Sequence, residues 1–300
     1  MQKPQDKTGN SDTIAPPRIL VFGAHPDDAE YHAGGLLARY RKEMDATIRI
    51  ISLTDGAAGH HVRSPDELRE LRQEESTNAG KVIGAEYLNW DLPDAQLEPT
   101  LENRMRVIGE IRSFRPDLVL THRLCDYHPD HRAAAQLVQD ASYLVTVPNV
   151  LPTVPPLFDD PVILYMTDLF TRPTPLRPDL ILSVDEQLQE IIGMLACHRT
   201  QVFEWLPYEG GVMDDVPEDE AGKLDWLKAW FHDQVARRSD FFRDALVAAY
   251  GEERGRTIRF CEAYEVSEYG SPMNGKKRRT LWPFQVQSES KKESNLRSKP

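Results

Sequence analysis

Cysteine is scarce: the 300 residues contain three, Cys125, Cys197 and Cys261, far apart. That excludes a disulfide framework and a CxxC zinc site, so any metal must be held by histidine and carboxylate. Long apolar runs are missing as well. No stretch approaches the roughly 20 apolar residues needed to cross a bilayer, and residues 1–16 are polar and proline-containing, without the apolar centre of a secretory signal. The expectation is a soluble, cytoplasmic protein. Positive charge is short overall, with a net charge of −12, and its one excess lies at the end, where Lys276 to Pro300 carries eight Lys/Arg against two Glu. An acidic body argues against a broad nucleic-acid surface. No composition break interrupts the middle of the chain, so the expected organisation is a flexible segment at 1–16, one domain at 17–270, and a basic, disordered tail at 271–300.

What is present alternates. Ile19-Leu-Val-Phe22 reads as a buried strand ending at Gly23-Ala24, and Leu36, Leu37, Tyr40 and Met44 mark a helix behind it. The paired glycines Gly34-Gly35 within that helix suggest close approach to the sheet or to a ligand. A strand at Thr47–Leu53, a helix at Pro65–Ile83, a short strand at Glu86–Asn89 and a helix at Leu101–Phe114 come next. Asp117–Thr121 is a further strand, again leading to a polar loop and an apolar-periodic helix. A proline-rich excursion from Pro148 to Pro178 is interrupted by a strand at Val162–Met166. After a strand at Leu180–Val184 and a helix through Ile191, a loop is expected at Leu206–Pro217 and one helix from Glu218 to Tyr250. Strand and helix in alternation predict an α/β fold, Rossmann-like, with a mostly parallel sheet and helices on both faces.

Two strand ends carry the chemistry. The first runs into His25-Pro-Asp-Asp28 and the second into His128-Pro-Asp-His131. Ligands in such sheets bind at the carboxyl ends of strands. His25 and His131 with one of the adjacent aspartates make a two-imidazole, one-carboxylate set with room for substrate, a layout suited to catalytic zinc. The other aspartate would handle a proton, and His128 would donate to a leaving amine or stabilise an oxyanion. Asp130 beside an imidazole would fix its tautomer. Spacing alone does not decide which of Asp27 and Asp28 is the ligand. His32 and His122 are read as structural.

Ala24-His-Pro-Asp-Asp28 together with Gly34-Gly35 and His128-Pro-Asp-His-Arg132 resembles the signature of the LmbE/PIG-L family of zinc-dependent N-deacetylases. Leu53-Thr-Asp-Gly56, Arg115-Pro-Asp-Leu118 and His198-Arg-Thr-Gln201 extend the likeness over most of 17–265. The resemblance implies a Rossmann-like fold and removal of acetyl groups from N-acetylglucosamine moieties and related N-acyl compounds. It implies zinc on His25, Asp28 and His131, Fe2+ being another divalent ion the set would accept. It further implies Asp27 as general base, His128 as acid or oxyanion partner, and Asp130 as the orienter of His128. Where family members carry an acid and an Arg-Gly pair, this chain has Ala57-Ala-Gly-His-His61. His60, His61, Arg63 and His198 are therefore candidate substrate contacts. The expected partner is a small N-acetylated sugar or glycoconjugate, and self-association is left open. Two other readings remain: a non-haem Fe(II) enzyme using His25, an aspartate and His131 as a facial triad, and a non-catalytic sugar or nucleotide binder. Strand–helix alternation counts against the first. The second has no use for Asp27 or His128, and no G-x-G-x-x-G comes after the first strand.

Overall fold

In the computed structural model, which describes residues 15–284, β1 (Arg18–Gly23) sits in the middle of the sheet. Ile19 to Phe22 are fully buried, and period-two alternation divides them between the faces. Ile19 and Val21 join a core with α1 (Asp28–Met44), α2 (Pro65–Ile83), α5 (Leu188–Leu195) and α7 (Glu220–Phe241). Leu20 and Phe22 join another with α3 (Leu101–Phe114) and α4 (Pro129–Ala141). Covered on both faces, the strand is apolar throughout rather than alternating polar and apolar.

The remaining strands are β2 (Thr47–Thr54), β3 (Glu86–Leu92), β4 (Leu118–Thr121), β5 (Val162–Tyr165), β6 (Leu180–Ser183) and β7 (Cys261–Val266). Among the described residues they form one seven-stranded sheet in the order β3-β2-β1-β4-β5-β7-β6. Pairing is parallel from β3 through β5, and β7 runs antiparallel to both β5 and β6. The expected α/β, mostly parallel architecture is what the structure has. The register Phe22↔Thr121 brings the end of β1 beside the end of β4. The loops at 24–28 and 122–131 therefore meet at one edge of the sheet.

Gly35 shows why the paired glycines are needed. A Cβ there would lie 2.4 Å from Val184 Cγ1, and the amides of Gly35 and Leu36 donate to Glu262 at 2.7 and 2.8 Å. The close approach is to the sheet, not to a ligand.

Three expectations are corrected. The helix over 218–250 is two: α7 ends at Phe242, whose φ of −101° and ψ of 19° break the turn before α8 (Arg243–Tyr250). The loop at 206–217 begins as helix, because π-helical Thr200–Trp205 runs into α6 (Leu206–Glu209). Further on, α9 (Glu252–Thr257) leads into β7. The domain does not stop at 270, since α10 (Gly275–Leu281) carries Leu281, Trp282 and Phe284 into the main core. Those apolar residues lie among the basic ones, and their burial outweighs the charge that suggested a free tail. The 1–14 part of the leading segment and the 285–300 part of the tail lie outside the described residues. No helix among the described residues is long and apolar enough to cross a membrane.

Candidate functional site

The loop after β1 folds around one of its own carboxylates. Asp28 Oδ2 accepts the amides of Ala24 at 2.8 Å and His25 at 2.7 Å, and His122 Nε2 approaches the same oxygen at 3.1 Å. The other oxygen, Oδ1, faces His131 Nε2 at 3.4 Å. His25 Nδ1 lies 3.3 Å from His131 Nε2 and 3.7 Å from Asp28 Oδ2. Ligands about 2.0–2.2 Å from a tetrahedral zinc are separated by roughly 3.3–3.6 Å. The two imidazole nitrogens stand at that spacing, and Asp28 faces them with different oxygens. Among the described residues, the groups compact enough to hold one ion are His25, His128 and His131; Asp28, His122 and His131; and His25, Asp94 and Asp130.

Each imidazole turns one nitrogen inward and rests the other on carboxylate. His25 Nε2 is 3.2 Å from both Asp94 Oδ1 and Asp130 Oδ2. His131 Nδ1 is 3.2 Å from Asp126 Oδ1. Outer carboxylates of this kind orient metal-binding histidines and raise their basicity. Electrostatics reflect the geometry. Burial lowers His25, but Asp130 and Asp94 outweigh it and hold its pKa well above the ordinary value. Burial likewise opposes His131, which Asp28 and Asp126 raise to about 9. Burial pushes Asp28 up, yet His131 and His122 more than compensate and keep it well below the usual carboxylate range. The cluster is thus an anionic cradle whose histidines hold protons that a metal would displace.

Asp27 is held differently. Its φ is 113°, a conformation unfavourable for any residue but glycine. Its amide donates to Tyr87 Oη at 3.3 Å, and its side chain lines the cavity over the cluster. Burial, then the neighbouring Asp28 charge, lift its pKa to about 7, against the pull of His198 and Arg72. A carboxyl poised there suits proton exchange near neutrality. His128 is the N-cap of α4: its Nδ1 accepts the Asp130 amide at 3.2 Å. A neutral ring so engaged carries its proton on Nε2. Burial foremost, and then His25 and His131, lower its pKa, which keeps it neutral.

The structure places several of the expected site residues as follows. Asp130 reaches His128 through its backbone amide, while its carboxylate serves His25 and the amides of Ala95 and Leu97. His122 is no bystander, since it contacts Asp28 and stacks on His131 at 4.0 Å. His198 is fully buried, with Nε2 2.8 Å from Glu30 Oε1, and does not line the cavity. His60 and Arg63 turn to Glu204 at 2.9 Å each, and His61 stacks on Tyr208 at 3.8 Å. With Glu204 they line a separate pocket that shares no residue with the cavity over the cluster. Asp94 and Asp126 were missed. Asp126 was findable as an acid within the same loop as His131, but nothing local marks Asp94.

The cavity has a volume of about 370 Å3 and is walled by α1, the 167–170 segment and α7, including Tyr31, His32, Phe170, Trp230 and Arg238. Larger ones, about 530 and 810 Å3, lie against α8 and α9 and beside α5 and α7; the former contains no histidine and the latter a single one, His232. Chemistry rather than size singles out the cavity over the cluster.

A family model described as PIG-L, GlcNAc-PI de-N-acetylase, matches residues 20–142. Among relatives, an uncharacterized deacetylase of Escherichia coli K12 is 30% identical over 140 residues, 44% of this chain and 71% of that one. A 4-oxalmesaconate hydratase of Pseudomonas putida is 24% identical over 197 residues, 63% and 76% of the two chains. A diacetylchitobiose deacetylase of Thermococcus kodakarensis is 27% identical over 194 residues, 62% of each. The fold is shared with the crystal structure of a 4-carboxy-2-hydroxymuconate hydratase from Pseudomonas putida KT2440, at a TM-score of 0.66 and 18% identity, covering 86% of this chain and 99% of that one.

Proposed function

The chain belongs to the PIG-L family of de-N-acetylases, and from that premise we propose that it is a metal-dependent hydrolase that removes the acetyl group from an N-acetylglucosamine-type sugar or conjugate. The observation that carries this reading is the triangle of His25 Nδ1, Asp28 and His131 Nε2 with Asp27 beside it at the wall of the cavity. We infer that those three residues hold the metal and that zinc is the ion. Such an ion, when bound, acidifies water and polarises an amide carbonyl.

The remaining work falls to the protein's own groups. Asp27 takes the proton of the attacking water on its carboxylate, at a position where burial has raised it into the range useful at neutral pH. His128 donates a hydrogen bond from Nε2 to the carbonyl oxygen as charge develops there, and Asp27, protonated by the attacking water, passes that proton to the departing nitrogen. The Asp130 amide on His128 Nδ1 keeps that ring in the donating tautomer. Asp94, Asp126 and Asp130 hold the two ligand rings in place. Tyr31, Phe170 and Trp230 supply apolar wall around the substrate and restrict water.

The reading is tested by acetate release from a panel of N-acetylglucosamine conjugates, with metal analysis, for wild type and Asp27→Asn. Loss of release with the metal retained supports it; equal release by both proteins overturns the role of Asp27. A second reading, hydration of an unsaturated acid, is favoured by the hydratase relative. Loss of conjugated C=C absorbance without acetate release would establish it instead.

A further inference from the structure

Helix α7 lays Trp230, Gln234 and Arg238 along the cavity, four residues apart and so on one face. Arg238 is the exception among the charged residues there. It is 5% exposed, and among the described residues no carboxylate lies within ion-pair distance of it. Its one side-chain hydrogen bond among them is from Nη1 to the Tyr31 carbonyl at 3.0 Å, and its guanidinium lies 4.6 Å over the Tyr31 ring. Two other buried arginines are fully engaged, since Arg123 grips Asp168 at 2.5 and 2.6 Å and Arg112 donates to the carbonyls around Val145–Val154, whereas Arg72 keeps its Nε without a hydrogen bond but donates to Gly59 and Gln201.

Arg238 makes no contact ion pair with its titratable neighbours His32 and Glu262, although Glu262 feels its charge. His32 donates Nδ1 to the Thr167 carbonyl at 2.8 Å and, chiefly through burial, stays uncharged. Behind Arg238, the Glu262 carboxylate already accepts from Gly35, Leu36 and the Tyr264 hydroxyl at 2.6–2.8 Å. A buried cation without a partner is costly. Guanidinium donors left pointing into a cavity match a carboxylate or phosphate.

We propose that Arg238 is the anion-binding end of this cavity and takes an oxyanion, carboxylate or phosphate, carried by the substrate. The inference rests on the reading of the cavity as the substrate site, and it narrows the substrate to an acidic N-acyl conjugate rather than a neutral oligosaccharide. Gln234, one turn back on the same face, supplies an amide beside the anion.

The test uses the full-length, metal-loaded protein and two anionic probes, glutarate and inorganic phosphate, with glutaramide as the uncharged control. Binding is measured by calorimetry for wild type, Arg238→Gln and Arg238→Lys. The expected result is that Arg238→Gln weakens at least one anion by about tenfold or more and leaves glutaramide unchanged, since a buried charge pair has lost one member. Arg238→Lys should fall between the two. The anion that loses more identifies carboxylate or phosphate as the natural group. Equal anion affinity in wild type and Arg238→Gln overturns the proposal, including when the variant is merely less stable, because a structural counter-charge to Glu262 would shift Tm alone. Should Arg238→Gln not fold, Arg238→Lys decides: a severalfold loss of anion affinity supports the site, and no loss overturns it. Acetate release from an uncharged N-acetylglucosamine conjugate is measured in parallel. Because an anion site at Arg238 itself disfavours an uncharged substrate, release is also measured from a carboxylate-bearing N-acetylglucosamine conjugate, and its absence there in wild type counts against the deacetylase reading without affecting the binding result.

Discussion

Glu30 Oε1 and His198 Nε2 face each other at 2.8 Å with both side chains completely shielded from solvent. Tyr87 Oη links the pair to the backbone of Asp27. His198 therefore belongs to the wall behind the proposed base rather than to the substrate surface. Removing it strands a buried carboxylate, and His198→Ala is expected to cost about 3–5 kcal/mol, read as a lowered denaturation midpoint. Burial opposes His198, but Glu30 outweighs it and raises its pKa. A raised folded value means the pair's stabilisation is complete below the unfolded value of about 6.5 and is lost as pH rises through the folded one. The Tm gap between wild type and His198→Gln should therefore be constant below about pH 6.5 and narrow above it; a gap that stays constant at higher pH would refute the assignment.

Asp27 combines chemical use with backbone strain. Asp27→Asn should reduce turnover by about 10²–10⁴-fold with metal content unchanged. Asp27→Gly should be equally inactive but more stable than Asp27→Ala by about 1–3 kcal/mol, because only glycine accepts the positive φ without penalty. Chemical denaturation of the two variants makes the comparison.

The outer carboxylates should matter to the metal. His131→Ala is expected to abolish metal binding, whereas Asp126→Asn should weaken it by about 10–100-fold. Competition with a chelator measures both; unchanged affinity in Asp126→Asn would show that the 3.2 Å contact with His131 is incidental.

The two glycines of α1 should respond differently to alanine. At Gly35 a Cβ meets Val184 at 2.4 and 2.7 Å, so Gly35→Ala should destabilise by about 1–3 kcal/mol. At Gly34 the nearest atom is the flexible end of Met194 at 3.1 Å, and Gly34→Ala should be near neutral. Thermal melts distinguish the cases.

A truncation isolates the contribution of α10. Deleting 276–300 removes the buried Leu281, Trp282 and Phe284, each worth about 1.5–3 kcal/mol, and should lower Tm markedly.

The range of each interaction governs how much of this was readable in one dimension. β1 and β4 were legible because continuous apolar runs buried on both faces leave few alternatives. The His-Pro-Asp loops were legible because their chemistry is local and repeated. The family likeness then separated Asp28 from Asp27, and the Oδ2 contacts with the amides of Ala24 and His25 supply a physical reason for Asp28 being the inward carboxylate. The basic run at 276–279 hid an apolar anchor a few residues later, since charge dominates the composition while burial dominates the packing.

By itself, then, the sequence determined the α/β alternation, the two strand-end loops and the candidate ligands proposed for a metal, because these depend on periodicity and short spacing. Tertiary structure alone decided which groups support them. Asp94 and His122 reach the cluster only because the parallel register sets the ends of four strands, β3, β2, β1 and β4, side by side. Glu204 draws His60 and Arg63 into a separate pocket from 141 or more residues away. Arg238 enters the cavity because α7 packs against α1, a contact across 207 residues of chain. No local pattern encodes such meetings; the packing of buried faces does.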